Sequence, residues 1–169
     1  MSRFTFRRLH PTDMPLLHDW LNRPHIRAWW DEPGSLDEVS ATFMELTGDD
    51  ADTLGYIALL DGEAAGFIQS YVVMGSGGGW WEDETDPGAR GIDLFLADGE
   101  RLGQGLGSAL LDDFCALLFS DPAVSKVQAD PTPANGRAIR SYQRAGFQDC
   151  GEVVTPDGPA RLMVRPRVA

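Results

Sequence analysis

Hydrophobic and polar positions alternate through Phe4-Thr5-Phe6-Arg7-Arg8-Leu9, the period of two that marks a half-buried strand. The period then lengthens. Met14, Leu17, Trp20 and Leu21 form an apolar stripe that predicts a helix from its cap Thr12 to about Asn22, closed by Pro24. Ser35-Leu36-Asp37-Glu38 is a capping box and predicts a second helix to about Thr47. An acidic loop follows from Gly48 to Thr53. Strands are expected over Leu54–Leu60 and Ala64–Val73, joined at Asp61-Gly62, a strong hairpin signal. Residues 74–90 are rich in glycine and acid and carry little periodicity, which suits a functional loop. Strand 90–97, a glycine turn, helix 105–119, strand 125–129 and helix 135–145 come next. Val153-Val154, the turn Pro156-Asp157-Gly158-Pro159 and Arg161–Val164 predict a closing hairpin. The sum is a mixed, mostly antiparallel α/β (α+β) sheet flanked by about four helices.

Length and composition narrow the class. A chain of 169 residues with 43% hydrophobic content fits one domain over 1–169 with a real core. It holds no apolar run long enough to span a bilayer. Arg3, Arg7 and Arg8 are not followed by an apolar stretch, so no signal peptide is read. Cys115 and Cys150 form no motif. Cys115 falls on the apolar face of helix 105–119, and reduced thiols in a cytoplasmic protein are expected. His10, His18 and His25 lack metal-ligand spacing, and no metal is expected. The formal net charge of −12 opposes nucleic-acid binding, which wants a basic face. It suits a cationic small molecule, although acidity alone also serves solubility. The acids gather: Glu82, Asp83, Glu84, Asp86, Asp93, Asp98 and Glu100 face one base, Arg90, over residues 80–100.

The densest chemistry lies in Arg101-Leu102-Gly103-Gln104-Gly105-Leu106-Gly107-Ser108. Glycines at alternate positions let backbone N–H groups approach a ligand, and the helix behind them adds unpaired donors and a positive dipole end. That combination suits a pyrophosphate. A plain turn before a helix has the same look. The segment is not a P-loop, which needs Gly-Lys-Ser/Thr, and its glycines fall too late in the chain for a dinucleotide fingerprint.

Later comes Asn135-Gly136-Arg137-Ala138-Ile139-Arg140-Ser141-Tyr142-Gln143-Arg144-Ala145-Gly146-Phe147, a helix capped by Asn135 and ended by Gly146. Turn and helix together resemble the acetyl-CoA site of the GCN5-related N-acetyltransferase (GNAT) superfamily. That superfamily pairs a Q/R-x-x-G-x-G/A turn with an N-x-x-A-x-x-x-Y-x-x-x-G-F helix. The helix motif is complete here; in the turn, Leu102 stands at the usual Gln/Arg position. The likeness extends to aminoglycoside 6′-N-acetyltransferases through Trp20-Leu21-Asn22-Arg23-Pro24-His25-Ile26, Trp29-Trp30, Gln69-Ser70-Tyr71-Val72 and Gly79-Trp80-Trp81-Glu82. Glu84-Thr85-Asp86-Pro87-Gly88, Arg90-Gly91-Ile92-Asp93 and Asp130-Pro131 continue it. It covers roughly residues 4 to 165.

The resemblance implies a V-shaped central sheet and acetyl-CoA held by Phe95, Leu96, Leu102, Gly103, Gln104, Gly105, Leu106, Gly107, Ser108 and Asn135. It makes Asp93, an acid interrupting an apolar strand, the candidate base and Tyr142 the candidate general acid. Trp30 and Trp81 become walls of the substrate site, while Trp29 and Trp80 are assigned to the core. Asp130 and Asp157 would hold ammonium groups; Gln69, Tyr71 and Ser76 would read hydroxyls. A solvated strand acid, a core tyrosine and an Asx turn are the structural alternatives for Asp93, Tyr142 and Asp157. The aminoglycoside enzymes often carry an acid where this chain has Gly78. Three readings stand: acetylation of an aminoglycoside 6′-amine, acetylation of another amine or hydroxylamine such as a siderophore precursor, and ligand binding without turnover. The expected protein is a monomer or homodimer with no membrane partner.

Overall fold

The computed structural model describes residues 3–30, 34–49, 52–101 and 103–168. Seven strands form one sheet: β1 (Phe4–Arg8), β2 (Thr53–Leu60), β3 (Glu63–Val72), β4 (Ala89–Leu96), β5 (Lys126–Ala129), β6 (Gln148–Thr155) and β7 (Gly158–Pro166). Their order is β1-β2-β3-β4-β5-β7-β6. Every neighbouring pair is antiparallel except β4 and β5, which run parallel. The helices are α1 (Met14–Leu21), α2 (Pro24–Arg27), α3 (Leu36–Phe43), α4 (Leu106–Phe119) and α5 (Gly136–Arg144).

The parallel pair positions the site. β4 and β5 are in register only from Ala89–Lys126 to Gly91–Gln128, and beyond that point they part. β4 goes on pairing with β3 as far as Gly66–Leu96, while β5 pairs with β7 through Ala129–Met163. The sheet therefore splays into a V whose open arms are the second half of β4 and the residues after β5.

Because strand side chains alternate faces, β4 feeds two cores. Ile92 joins Ile68, Phe114, Val127, Tyr142 and Met163 under α4 and α5. Phe95 joins Phe67, Leu17, Trp20 and Phe43 under α1 and α3. Burying one such aromatic or aliphatic side chain is worth about 1.5–3 kcal/mol, so both faces of β4 are fixed. Cys115 is fully buried in the first cluster, and its surroundings push the thiol pKa up to about 12.

Local expectations at the first helix need correction. His10, not Thr12, is the first cap: it opens a 3-10 turn over Pro11–Asp13, and α1 starts at Met14. The Arg7 guanidinium makes a double hydrogen bond to Asp13, which is nearly buried. Pro24 does not close a helix; it opens α2, where its missing N–H costs nothing. The closing hairpin is longer than its apolar residues suggested, spanning β6 and β7. The Ser35 capping box, the Asp61-Gly62 turn, α4 and α5 form as the sequence predicts.

Candidate active site

Asp93 and Asp130 meet at the fork of the V. Asp93 lies two residues beyond Gly91 on β4, and Asp130 two residues beyond Gln128 on β5, so they leave the last parallel pair on matching positions of one face. Asp93 is reached through the fork but largely surrounded by protein. Burial raises its pKa; a hydrogen bond from Gln69 Nε2, at 3.0 Å from Oδ2, opposes that, and the Asp157 charge adds to it. Burial, then the charges of Asp93 and Asp157, push Asp130 up to about 7. The β6–β7 turn brings Asp157 in, exposed, so the three carboxylates form one negative cluster.

Cross-strand pairing sets the surrounding shelf. Phe67–Phe95, Gln69–Asp93 and Tyr71–Gly91 are register partners. A Cβ at Gly91 would collide with the Tyr71 ring, so the ring lies flat over the glycine backbone, which explains the Gly in Arg90-Gly91-Ile92-Asp93. Burial, with Asp93 and Asp130 nearby, drives the Tyr71 hydroxyl far above its ordinary pKa, so it stays neutral. The Trp81 indole N–H donates to the Tyr71 hydroxyl oxygen at 3.2 Å. Trp81 has φ 51°, a left-handed backbone that costs a residue with a side chain about 1–3 kcal/mol.

The loop carrying Trp81 is pinned by its own acids. Glu84 pairs with Lys126 at 2.8 Å, and the Ser125 hydroxyl donates to Asp86 at 2.6 Å. These two acids therefore anchor the loop to the start of β5, so part of the acidic 80–100 run is structural. Ser76 also turns inward on its loop, its hydroxyl donating to the Val73 carbonyl at 2.7 Å. Gly79 approaches Pro156 of the β6–β7 turn, so this loop and the turn of Asp157 close one side of the fork.

On the other side a cleft of about 570 Å³ runs between the arms, lined by Leu94, Phe95 and Leu96 of β4, Gly107 and Leu111 of α4, Asn135 at the cap of α5, and Ala138, Ser141 and Tyr142 of α5. Tyr142 is buried, edge-on to Phe147 with ring centroids 5.2 Å apart. Burial first, then the charges of Asp93 and Asp130, holds its pKa well above the usual value, so it is a proton donor rather than a base. Asn135 Oδ1 accepts from the Ala138 N–H at 3.2 Å and caps α5 while lining the cleft.

Gly103 and Gly105 have φ 80° and 79°, with nothing near the position a Cβ would take. Gly105 is the N-cap of α4 and makes no side-chain cap bond, so the N–H groups in the first turn of this 14-residue helix have no capping side chain. This cradle fits a pyrophosphate. Leu106 is buried in the core, Gln104 is exposed, and the Ser108 hydroxyl donates to the Gly105 carbonyl. Leu102 lies outside the described residues. Among the described residues no group of three or more His, Cys, Asp or Glu is placed to hold a metal ion.

Trp30 is half-buried, edge-on to Phe67 and Phe95 and at the rim of the cleft. It stands one same-face pair along from Gln69–Asp93, away from Trp81. Trp29 is a correction: it is 49% exposed and lines the cleft rather than the core, because α2 ends beside the open arm. Trp80 is half-buried and packs at a tilt on Trp81. Sequence reasoning missed His25, whose Nε2 lies 2.8 Å from the Leu96 carbonyl oxygen in the cleft wall. It also missed Arg137, Arg140 and Ser141 of α5 and buried Gln128. The polar residue inside Val127-Gln128-Ala129 was the one available signal for Gln128.

Residues 10–155 match the Acetyltransferase (GNAT) domain family. The chain is 48% identical, over 98% of its length and 84% of the relative, to aminoglycoside N(6′)-acetyltransferase type 1 of Klebsiella pneumoniae. Lysine N-acyltransferase MbtK of Mycobacterium tuberculosis is 29% identical over 83% of this chain and 67% of its own. The solved structure of the aminoglycoside acetyltransferase AAC(6')-Ib in complex with coenzyme A and kanamycin superposes with a TM-score of 0.92 at 49% identity, covering 97% of this chain and 95% of that one.

Proposed function

Since this chain belongs to the GNAT acetyltransferases, and within them to the aminoglycoside 6′-N-acetyltransferases, we propose that it acetylates the 6′-amino group of aminoglycosides and so inactivates the antibiotic. Acetyl-CoA supplies the acyl group as an activated thioester. The observation that carries the reading is the meeting of Asp93, Asp130 and Asp157 at the fork, opposite a cleft lined by Tyr142. An aminoglycoside carries several ammonium groups, and a partly dehydrated cluster of carboxylates is what recognises them.

The roles follow from position. The N–H donors of the Gly103–Gly107 turn hold the pyrophosphate, and Phe95, Leu96 and Asn135 line the path of the pantetheine arm. Asp130 and Asp157 hold substrate ammonium groups. Tyr71 and Trp81 form one wall of the acceptor site and Trp30 borders it; Gln69 fixes the Asp93 carboxylate. Asp93, its proton affinity raised by burial, takes a proton from the attacking amine, since an ammonium has no lone pair. Tyr142, neutral and aimed into the cleft region, gives a proton to the departing sulfur. Ser76 is left with a loop-shaping role by its bond to Val73. The whole chain acts as one domain in the cytoplasm.

The test is thiol release from acetyl-CoA by purified protein with kanamycin, against a matched aminoglycoside bearing a 6′-hydroxyl. Rapid turnover of the 6′-amine alone is the expected result. Equal rates with both, or none with either beside fast acetylation of a small hydroxylamine, overturns the assignment.

A further inference from the structure

Gln128 sits on β5 between Lys126 and Asp130, the residue just past the strand's end, and the alternation of an extended segment puts the three on one side. It is 4% exposed, and its Nε2 has no hydrogen-bond partner among the described residues. An enclosed, unpaired amide donor costs about 1–3 kcal/mol, and native proteins rarely leave one. Among the described residues its sideways neighbours make no hydrogen bond to that nitrogen. Gly91 has no side chain and lies under the Tyr71 ring, the Tyr71 hydroxyl oxygen already accepts from Trp81, and the partner on β7 is Val164. Lys126 is held by Glu84.

One step along the same face, Asp130 shows the opposite deficit. Among the described residues no side-chain donor bonds its carboxyl, and its own backbone is the one group that lowers its proton affinity. The groups facing it are Asp93 from β4, Asp157 from the β6–β7 turn, Tyr71 from β3 and Tyr142 from α5; none is a cation. An orphan donor and an under-supplied acceptor thus stand two residues apart on one extended segment, a spacing of about 7 Å between backbone positions.

We propose that Gln128 is the positioning residue of Asp130: its amide nitrogen donates to the Asp130 carboxylate, directly or through one water, when that acid is ionised. The bond aims the carboxylate at the fork and offsets the repulsion from Asp93 and Asp157. The role in substrate capture rests on the function proposed above; the pairing itself does not.

Gln128→Met and Gln128→Leu each fill the site with an apolar side chain and remove the donor. In the unliganded protein, carbon-13 NMR titration of the Asp130 carboxyl is expected to show a higher midpoint in both variants, because a donor to the charged form lowers a carboxyl pKa and its loss raises it. With kanamycin, Gln128→Met is expected to raise KM about tenfold at neutral pH, the value of one hydrogen bond to a charged group. The acidic limb of kcat/KM should move to higher pH, while KM for acetyl-CoA stays unchanged. An unmoved Asp130 midpoint overturns the proposal. So does a parallel rise in both KM values with the acidic limb in place, which is the signature of lost packing. If Gln128→Met does not fold, the Gln128→Leu titration decides alone. Absence of kanamycin turnover by the wild-type protein sinks the function and leaves the titration standing.

Discussion

Asp93 on β4 and Asp130 just past the end of β5 each stand two residues beyond the Gly91–Gln128 pair that ends the parallel register, so the separation of two strands creates a carboxylate pair. Like charges so placed resist full ionisation. Asp130, with its pKa pushed up to about 7 by burial and then by Asp93 and Asp157, must be ionised to hold an ammonium. Kanamycin affinity measured by calorimetry is therefore expected to weaken as pH falls below about 7. Asp93→Asn removes one repelling charge and should move that fall to lower pH. A pH-independent affinity between pH 5.5 and 8 would show that Asp130 does not bind substrate as an anion.

The same burial has a stability consequence. A carboxyl whose pKa is raised on folding binds its proton more tightly in the folded state. Its stability contribution is complete below the unfolded value and is lost as pH rises through the folded one, here about 7. Asp130→Asn does not titrate, so the variant should melt above the wild type at pH 8, by about 2–4 °C per kcal/mol of relieved repulsion in a chain of this size. The gap should shrink toward pH 4. Lower activity with higher Tm in one variant is the expected trade of a binding residue.

Tyr142 and Asp93 separate by kinetics. Tyr142→Phe keeps the ring packed on Phe147 and removes only the hydroxyl. A fall in kcat of about 10²–10⁴-fold with little change in KM for acetyl-CoA is expected for a general acid. Unimpaired kcat would leave Tyr142 as a core residue. Asp93→Asn should likewise act on kcat, and solvent isotope effects should report the lost proton transfer.

Acetyl-CoA is expected to raise Tm, since a ligand that binds only the folded state stabilises it by mass action. Gly105→Asp should abolish that rise. It puts a side chain at φ 79° and a negative charge where a phosphate must approach the N–H groups of α4. A normal acetyl-CoA shift in the variant would move the pyrophosphate site elsewhere.

Much of this molecule was legible along the chain because its causes are local. The Ser35 capping box, the Asp61-Gly62 turn, the glycines before α4 and the cap and stripe of α5 each act within a few residues, and each formed where the spacing predicted. The roles proposed for Asp93 and Tyr142 rest on a family likeness and not on any local pattern. What tertiary structure decided is everything set by strand divergence and by which neighbour gets there first. Trp29 belongs to a cleft wall because α2 ends beside an open arm, which no periodicity records. Glu84 and Asp86 became anchors because Lys126 and Ser125, some 40 residues later in the chain, lie under their loop. Gly91 is a seat for the Tyr71 ring, and Gln128 is enclosed beside Asp130, only because β3, β4, β5 and β7 lie in that order. Burial and the summed field of distant carboxylates are properties of the assembled sheet, and they, rather than any residue's identity, set the proton affinity of Asp130.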